Sequence, residues 1–208
     1  MRSSELLAAL KRLGRAHFET RDVAALMGIP IANANVALAR LSAHGLVVHL
    51  AKGRWAMPGV PPFLLPEALA TPFPTYLSLF TALHHHGLIE QIPAVVYAVT
   101  TGRTGRRATP VGTISLHHVS PAFFFGFEAY PGVPVLMATP EKALVDTLYL
   151  LPARSQLFRR LPELELPAGF KWRVAQKAAA AIPGKSRRNM TLRLLEELRT
   201  ASMKRKRR

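Results

Sequence analysis

The side chains best suited to chemistry in this sequence are cations and amides, which favour the binding of nucleic acid. Twenty-eight Lys and Arg against twelve Asp and Glu give a net charge of +16, as is typical of proteins that bind polyanions. Asn33, Asn35 and Arg40 lie on one side of a predicted helix and are residue types that hydrogen-bond base edges. We therefore expect double-stranded DNA as the partner.

A second basic group follows a predicted strand. Residues 101–107 consist only of threonine, glycine and arginine, so this loop has the flexibility and charge to reach phosphate, although it lacks the spacing of a nucleotide-binding P-loop. Arg103, Arg106 and Arg107 are therefore candidates for a second DNA contact, and a solvated hairpin is the alternative. Residues 204–208 are all Lys or Arg and predict a disordered tail that adds nonspecific affinity.

Eight histidines raise the question of a metal site, because imidazole binds zinc, copper and nickel. The runs at 84–86 and 117–118 place adjacent side chains on different sides of a helix or strand, so each run offers about one ligand to a shared site. No His-Glu-x-x-His or comparable spacing supplies the other ligands, and the chain has no cysteine. We expect no metal and no other cofactor.

Glu141, Lys142 and Asp146 combine two acids and a base at helical spacing. Lys142 and Asp146 are four residues apart and should pair on one helix face, while Glu141 follows a proline at a predicted helix start. Helix-start electrostatics is the simpler interpretation. Because no nucleophile–base pair, carboxylate dyad or cofactor fingerprint occurs, we expect no enzyme activity. A metal-dependent nuclease is the alternative, for which acidic ligands are scarce.

The first 58 residues contain the elements that would present these side chains to DNA. Apolar spacing and glycine stops predict helices over 4–13 and 21–27, the latter capped by Thr20, and a third helix that follows residues 28–30 and ends near 44. Two short strands at 46–50 and 55–57 flank a basic glycine turn. This order predicts a winged helix-turn-helix domain whose third helix enters the major groove.

In such a domain Lys52 and Arg54 would lie at the hairpin tip and contact phosphates beside the groove. The predicted DNA-binding residues are Arg21, Asn33, Asn35, Arg40, Lys52, Arg54, Arg103, Arg106 and Arg107. Winged helices also serve as protein-interaction modules, so the fold alone does not establish DNA binding.

The rest of the chain predicts a mixed domain of helices and strands. Frequent prolines predict a linker over 59–74. Beyond it we expect a helix over 76–86, capped by Thr75, and strands over 94–100, 112–118 and 133–138. Further helices are expected over 140–151, 154–160, 172–182 and 190–202, the last capped by Asn189. The aromatic run at 123–127 predicts a packed loop, with a stacking platform for bases as the alternative. The fold class is therefore α+β, with domains 1–58 and 75–203, linker 59–74 and tail 204–208.

Four segments of the second half resemble one protein family in its usual order: TYLSLFTALHHHGLIEQIP, VYAVTTGRTGRR, ISLHHVSPAFFFGFE and VLMATPEKALVDTLYL. They are similar to the AbiEi antitoxins of type IV toxin–antitoxin systems, and the resemblance spans nearly the whole chain. It implies a winged helix that represses its own operon at inverted repeats, and a second domain that counters a nucleotidyltransferase-like toxin without a stable complex. It also makes Glu141, Lys142 and Asp146 candidates for antitoxin function.

The main alternative is a winged-helix regulator whose second domain senses a small molecule and which has no toxin partner. No apolar run approaches the roughly 18 residues that a membrane-spanning helix needs. The first residues lack the apolar run and cleavage site of a secretory signal. We therefore expect a cytoplasmic protein with no membrane partner.

Overall fold

The computed structural model describes residues 3–151, 163–167 and 169–205. These residues bury two large apolar cores and form a mixed α+β protein. The first part of the chain contains, in order, α1 (Ser3–Leu13), β1 (His17–Glu19), α2 (Thr20–Met27), α3 (Ile31–Ala43), β2 (Val48–Ala51) and β3 (Arg54–Ala56).

The first two helices end at glycines, as the sequence predicts. Gly28 follows α2 with a φ of 61°, a left-handed conformation that costs a residue without Cβ little. The cap predicted at Thr20 is wrong. Glu19 caps α2 in a capping box with Asp22, and Thr20 is the first helical residue and is buried.

α2 and α3 are joined by a turn at residues 28–30 and meet at 110°. Among the residues that the structure describes, no single helix has the length and apolarity to cross a membrane, and only this bent pair passes that test together. The two helices instead bury their inner faces in the first core, whose members are Leu6, Leu10, Phe18, Val23, Ala24, Ala34, Leu38, Leu41, Val47 and Trp55.

Three short strands form an antiparallel sheet in the order β1-β3-β2. β2 and β3 are the two predicted strands, joined by a turn at residues 52–53. β1 is an additional strand that the sequence does not predict, because three residues are too few to display an alternating pattern. It pairs His17 with Ala56 and Glu19 with Arg54.

Residues 59–74 are not an extended linker. They form a 3₁₀ turn (Pro62–Leu64) and the short helix α4 (Pro66–Ala70). A proline begins each of these, because its fixed φ and missing N–H suit the first helical position. Val60, Leu65 and Leu69 are buried in the second core, so this segment packs as part of the fold.

The second core lies against a six-stranded mixed sheet in the order β6-β7-β5-β4-β9-β8. Its strands are β4 (Thr75–Leu77), β5 (Val95–Thr100), β6 (Gly105–Thr109), β7 (Gly112–His118), β8 (Phe127–Ala129) and β9 (Leu136–Ala138). The helix predicted from residue 76, with Thr75 as its cap, is wrong at its start. Residues 75–77 are a central strand between β5 and β9, and α5 (Leu79–His85) begins after it.

Three further helices complete the described part of the chain. α6 (Pro140–Leu150) has its predicted cap, since Thr139 accepts a hydrogen bond from the Lys142 N–H at 3.3 Å. α7 (Trp172–Ala180) is followed by α8 (Lys185–Arg205). The cap predicted at Asn189 is wrong, because Asn189 lies within α8. The start predicted for the disordered tail is also wrong, because residues 204–205 are helical. The helix predicted over 154–160 and tail residues 206–208 lie outside the described residues.

Candidate functional site

The exposed face of α3 carries the predicted amides and arginine. Asn33, Asn35 and Arg40 are all exposed. Ala34 and Leu38 lie on the opposite side of α3 and hold it against the first core. Ile31, Ala32, Val36 and Ala39 are exposed as well, so α3 presents a mixed surface of polar and small or branched apolar side chains to the solvent.

Asn35 has a defined orientation on this surface. Its Oδ1 accepts a hydrogen bond from Thr20 Oγ1 at 3.1 Å. The same Thr20 oxygen accepts a hydrogen bond from Trp55 Nε1 at 2.9 Å. A side chain on the surface of α3 is thus connected to the start of α2 and to β3.

Of the two cations predicted for the hairpin tip, only Lys52 is there. It is exposed in the turn between β2 and β3. Arg54 lies on β3 and is half-buried, and its guanidinium donates to the carbonyl oxygen of Thr71 at 2.9 Å. This contact directs Arg54 towards the end of α4, so the prediction of a free cation at the tip is wrong for Arg54.

Arg21 lies in the first turn of α2 and is largely exposed. Its Nε is 2.6 Å from Glu19 Oε2, and the Arg21 side chain is 69 % exposed. An exposed pair of this kind contributes little to stability, so a phosphate could replace Glu19 as the partner of Arg21.

Arg103, Arg106 and Arg107 are exposed. The predicted loop is shorter than expected, because Arg106 and Arg107 lie on β6, an edge strand of the six-stranded sheet. Consecutive residues of a strand point to opposite faces, so these two side chains do not share one face. β6 lies beside β2, the edge strand of the three-stranded sheet. The strand that carries Arg106 and Arg107 is therefore adjacent to the β2–β3 hairpin.

A buried polar cluster joins α6 to β4 and the start of α5. Lys142 and Asp146 form the predicted ion pair, but their side chains are 1 % and 0 % exposed. Asp146 Oδ2 accepts hydrogen bonds from Tyr76 OH at 3.0 Å and from Ser78 Oγ at 2.7 Å. Lys142 Nζ also donates to Tyr76 OH at 3.0 Å. The interpretation as surface electrostatics of a helix start is therefore wrong for this pair.

Aromatic rings complete the surroundings of Lys142. Its Nζ lies 3.8 Å from the ring centre of Phe123 and 5.2 Å from that of Phe125, within cation–π range. Phe123 is fully buried, so the run at 123–127 packs against the core. Burial lowers the pKa of Lys142, opposed by the carboxylate of Asp146, and burial raises the pKa of Tyr76.

The cluster is suited to holding elements together. An ammonium has three hydrogens, and those of Lys142 are directed to Tyr76, Asp146 and the face of Phe123. Glu141 adds a fourth link, because its Oε1 accepts the backbone N–H of Lys171, just before α7, at 2.9 Å. With these contacts made, the cluster leaves no donor of Lys142 for a substrate.

Gly126 allows the aromatic segment to approach Lys142 closely. Its φ is 77°, and a Cβ added there would lie 3.0 Å from Lys142 Cγ. Its carbonyl oxygen accepts the N–H of Thr139, the cap of α6, at 3.0 Å. The glycine therefore fits both the backbone conformation and the space beside the buried lysine.

The histidines make separate contacts. His86 Nε2 donates to the carbonyl oxygen of Ala138 at 2.8 Å, and His118 Nδ1 donates to that of Gly102 at 2.9 Å. His117 is buried, and burial lowers its pKa to about 4. Within residues 3–151, 163–167 and 169–205, no three His, Asp or Glu side chains are grouped closely enough to hold a metal ion.

A cleft of about 550 Å³ lies between the segment that leads into α2 and helix α4. Side chains of both charges line it, namely Arg15, Glu19, Arg21, Asp22, Arg54 and Glu67. His17 lies in the same cleft, and burial lowers its pKa despite the nearby Glu67. The volume lies in the range of small-molecule sites.

Four residues at these sites were not predicted to contribute: Thr20, Trp55, Tyr76 and Ser78. The sequence does contain an indication that Lys142 and Asp146 need partners such as Tyr76 and Ser78. Lys142 and Asp146 flank Ala143, Leu144 and Val145, which predicts a helix buried on most sides. A buried ion pair needs additional hydrogen-bonding partners, although the pattern does not say which residues supply them.

No family model matches this sequence, and no curated protein matches it either.

Proposed function

We propose that this protein is a DNA-binding transcriptional autorepressor and an antitoxin, with a winged helix-turn-helix domain as its DNA-binding part. The observation that carries the proposal is the exposure of Asn33, Asn35 and Arg40 on the second helix of a two-helix unit bent by 110°. Helix-turn-helix units have angles of about 90–120° and place the second helix in the major groove. The β2–β3 hairpin is then the wing.

Charge supports the same proposal. The net charge of +16 favours phosphate binding, and Lys52 is exposed in the turn of the hairpin. β6 lies beside β2, so the exposed Arg106 and Arg107 place positive charge on the two faces of the edge strand next to the hairpin. On this proposal α3 contacts base edges, while Lys52, Arg103, Arg106 and Arg107 contact phosphates.

The antitoxin part of the proposal rests on the resemblance of the second half to the AbiEi antitoxins. The buried cluster of Tyr76, Ser78, Lys142 and Asp146 supports a specific form of it. On this proposal the cluster stabilises the second domain, since the ammonium of Lys142 is directed to Tyr76, Asp146 and the face of Phe123. On this proposal a surface of that domain counters a nucleotidyltransferase-like toxin.

A gel-shift experiment tests the DNA-binding part. Wild-type protein and the variant Asn35→Ala/Arg40→Ala are mixed with the region upstream of the gene at two salt concentrations. The wild type should give a complex that survives the higher salt, and the variant should lose about 1–3 kcal/mol of binding per base-contacting side chain. Salt-sensitive binding that is equal for both proteins would contradict the proposal.

Co-expression tests the antitoxin part. If a nucleotidyltransferase-like gene is adjacent, its product should arrest growth when expressed alone, and this protein should restore growth. Asn35→Ala/Arg40→Ala is the matched control, because it should lose operator binding and still restore growth. Arrest that persists with folded wild-type protein would contradict an antitoxin role.

A second candidate function is regulation by a small ligand without a toxin partner. The cleft of about 550 Å³ between the start of α2 and helix α4 favours it, since a ligand there would contact both the DNA-binding part and the segment that follows it. A cellular metabolite extract that raises the melting temperature of the wild type, and changes its affinity for DNA, would support this candidate. No effect on either quantity would contradict it.

A further inference from the structure

Three side chains from three elements form a hydrogen-bonded chain that ends on the exposed face of α3. Trp55 Nε1 on β3 donates to Thr20 Oγ1 at 2.9 Å, and Thr20 Oγ1 donates to Asn35 Oδ1 at 3.1 Å. An indole nitrogen can only donate. The hydroxyl of Thr20 therefore accepts from Trp55, and in this structure its own hydrogen is directed to Asn35 Oδ1.

The inner part of this chain is buried. Thr20 and Trp55 are 5 % and 6 % exposed. The backbone N–H of Thr20 also donates to the carbonyl oxygen of Gly53, in the turn of the hairpin, at 2.9 Å. Thr20 is therefore held by the turn between β2 and β3 and by Trp55 on β3. Its hydroxyl offers the amide of Asn35 a hydrogen-bonding partner in a fixed position.

The fixed amide has one predictable consequence at the surface. Asn35 is exposed, so with Oδ1 bonded to Thr20 it offers its NH₂ group as a donor, and Oδ1 retains one lone pair. A donor next to an acceptor matches N7 and N6 of adenine in the major groove. The opposite orientation of the amide would leave the hydrogen of the Thr20 hydroxyl without Asn35 Oδ1 as its acceptor.

The neighbours of Asn35 on α3 favour the same base pair. Ile31 and Val36 are 58 % and 51 % exposed, and Ala32 and Ala39 are exposed beside them. Exposed apolar groups on such a helix suit the methyl group of thymine. No Lys or Arg, the residues that favour guanine, occurs on α3 before Arg40.

We propose that Thr20 and Trp55 are positioning residues that fix the amide of Asn35 for an adenine, so that α3 binds an A·T-rich half-site. This inference rests on the proposed DNA-binding function. It adds the class of sequence recognised and the residues that determine the preference.

The test measures the base preference at each position of the DNA site. If Thr20 only stabilised the fold, its replacement would not change the preference at a single position. A duplex is selected from a random DNA pool by the wild-type protein, and its base pairs are replaced one at a time. Wild-type protein should prefer A·T over G·C by about tenfold at one position of each half-site. Thr20→Val should reduce that preference to less than about threefold at the same position, and Thr20→Ser, which keeps the hydroxyl, should restore it.

Trp55→Phe is the second variant, because it removes the first donor and keeps the ring and the Thr20 hydroxyl. It should weaken the preference at the same position. Each result is a ratio of two affinities for one protein preparation, so a partly unfolded variant does not distort it.

Two outcomes would overturn the inference alone. In the first, the wild type binds a specific sequence but Thr20→Val has the same base preference at every position. In the second, the position at which Asn35→Ala loses its base preference is one where the wild type prefers guanine. A wild-type protein that selects no sequence from the pool would overturn the proposed DNA-binding function and the inference with it.

Discussion

Replacement of Lys142 by methionine should destabilise the protein strongly. The substitution keeps an unbranched apolar stem and removes the ammonium, leaving Asp146 as a charge with no opposite charge and 0 % exposure. Removal of one partner of a buried ion pair costs about 3–5 kcal/mol. Domains of ordinary size have a free energy of unfolding of about 5–15 kcal/mol, so this single change should remove a large part of it.

The chain contains a matched control for that experiment. Arg193 and Glu197 form another i,i+4 pair, with Nε and Oε1 3.6 Å apart, but the two side chains are 74 % and 62 % exposed. Arg193→Met should change the free energy of unfolding by no more than about 0.5 kcal/mol. The spacing is the same in both pairs, so the difference measures burial.

A double variant separates the loss of charge balance from the loss of packing. In Lys142→Met/Asp146→Asn the buried charge is gone, while the amide oxygen can still accept from Tyr76 and Ser78. The double variant should therefore be more stable than Lys142→Met by about 1–3 kcal/mol. Urea unfolding is followed by circular dichroism and by the fluorescence of Trp172, which packs against the second core. Two results would contradict this prediction. One is a Lys142→Met variant that loses no more free energy of unfolding than Arg193→Met. The other is a double variant that is less stable than Lys142→Met.

Three further predictions concern a glycine, a histidine and the arginines of β6. Gly126→Ala should destabilise more than Gly132→Ala in urea unfolding, because both residues have positive φ (77° and 78°) but only Gly126 adjoins Lys142; equal costs would contradict this. Since the pKa of His117 is about 4 when folded and 6.5 as its ordinary value, the unfolded chain binds the proton first. Stability should fall as the pH drops from 6.5 to about 4, by on the order of 3 kcal/mol, and His117→Asn should remove this loss. Alanine at Arg103, Arg106 and Arg107 together should reduce the slope of log affinity against log salt by about 0.9 per lost phosphate contact. The control variant Arg193→Ala/Lys204→Ala should leave this slope unchanged.

The sequence predicts best those elements whose signals are local. α1, α2, α3 and α6 were expected within a few residues, because their apolar spacing and their glycine or proline boundaries are complete within each segment. β5 and β7 were expected for the same reason. The ion pair of Lys142 and Asp146 also follows from spacing alone.

The errors occur where long-range contacts decide the structure. Residues 76–77 were expected in a helix because Thr75 suits a cap and Gly87 a stop, but pairing with β5 and β9 makes residues 75–77 a central strand. The prolines at 62 and 66 predict a linker, yet each starts a helical turn that packs into the second core. Arg54 was expected at a hairpin tip, and its position on β3 depends on a register that residue types do not specify.

The candidate site follows the same division. The exposure of Asn33, Asn35 and Arg40 on α3 can be predicted from the helical period alone. The hydrogen bonds that orient Asn35 cannot, because Thr20 and Trp55 are 15 and 35 residues away from their partners along the chain. Likewise, Tyr76 and Ser78 are 70 and 68 residues from Asp146, and nothing in the local sequence connects them.

The central claim is that α3 recognises a specific DNA sequence, and a ratio of affinities tests it most directly. Fluorescence anisotropy is measured with the upstream region of the gene and with a scrambled duplex of the same length and composition, at physiological salt. Wild-type protein should prefer the upstream region by about a thousandfold or more, and Asn35→Ala/Arg40→Ala should lose most of that preference. Equal affinity of the wild type for both duplexes would contradict the account.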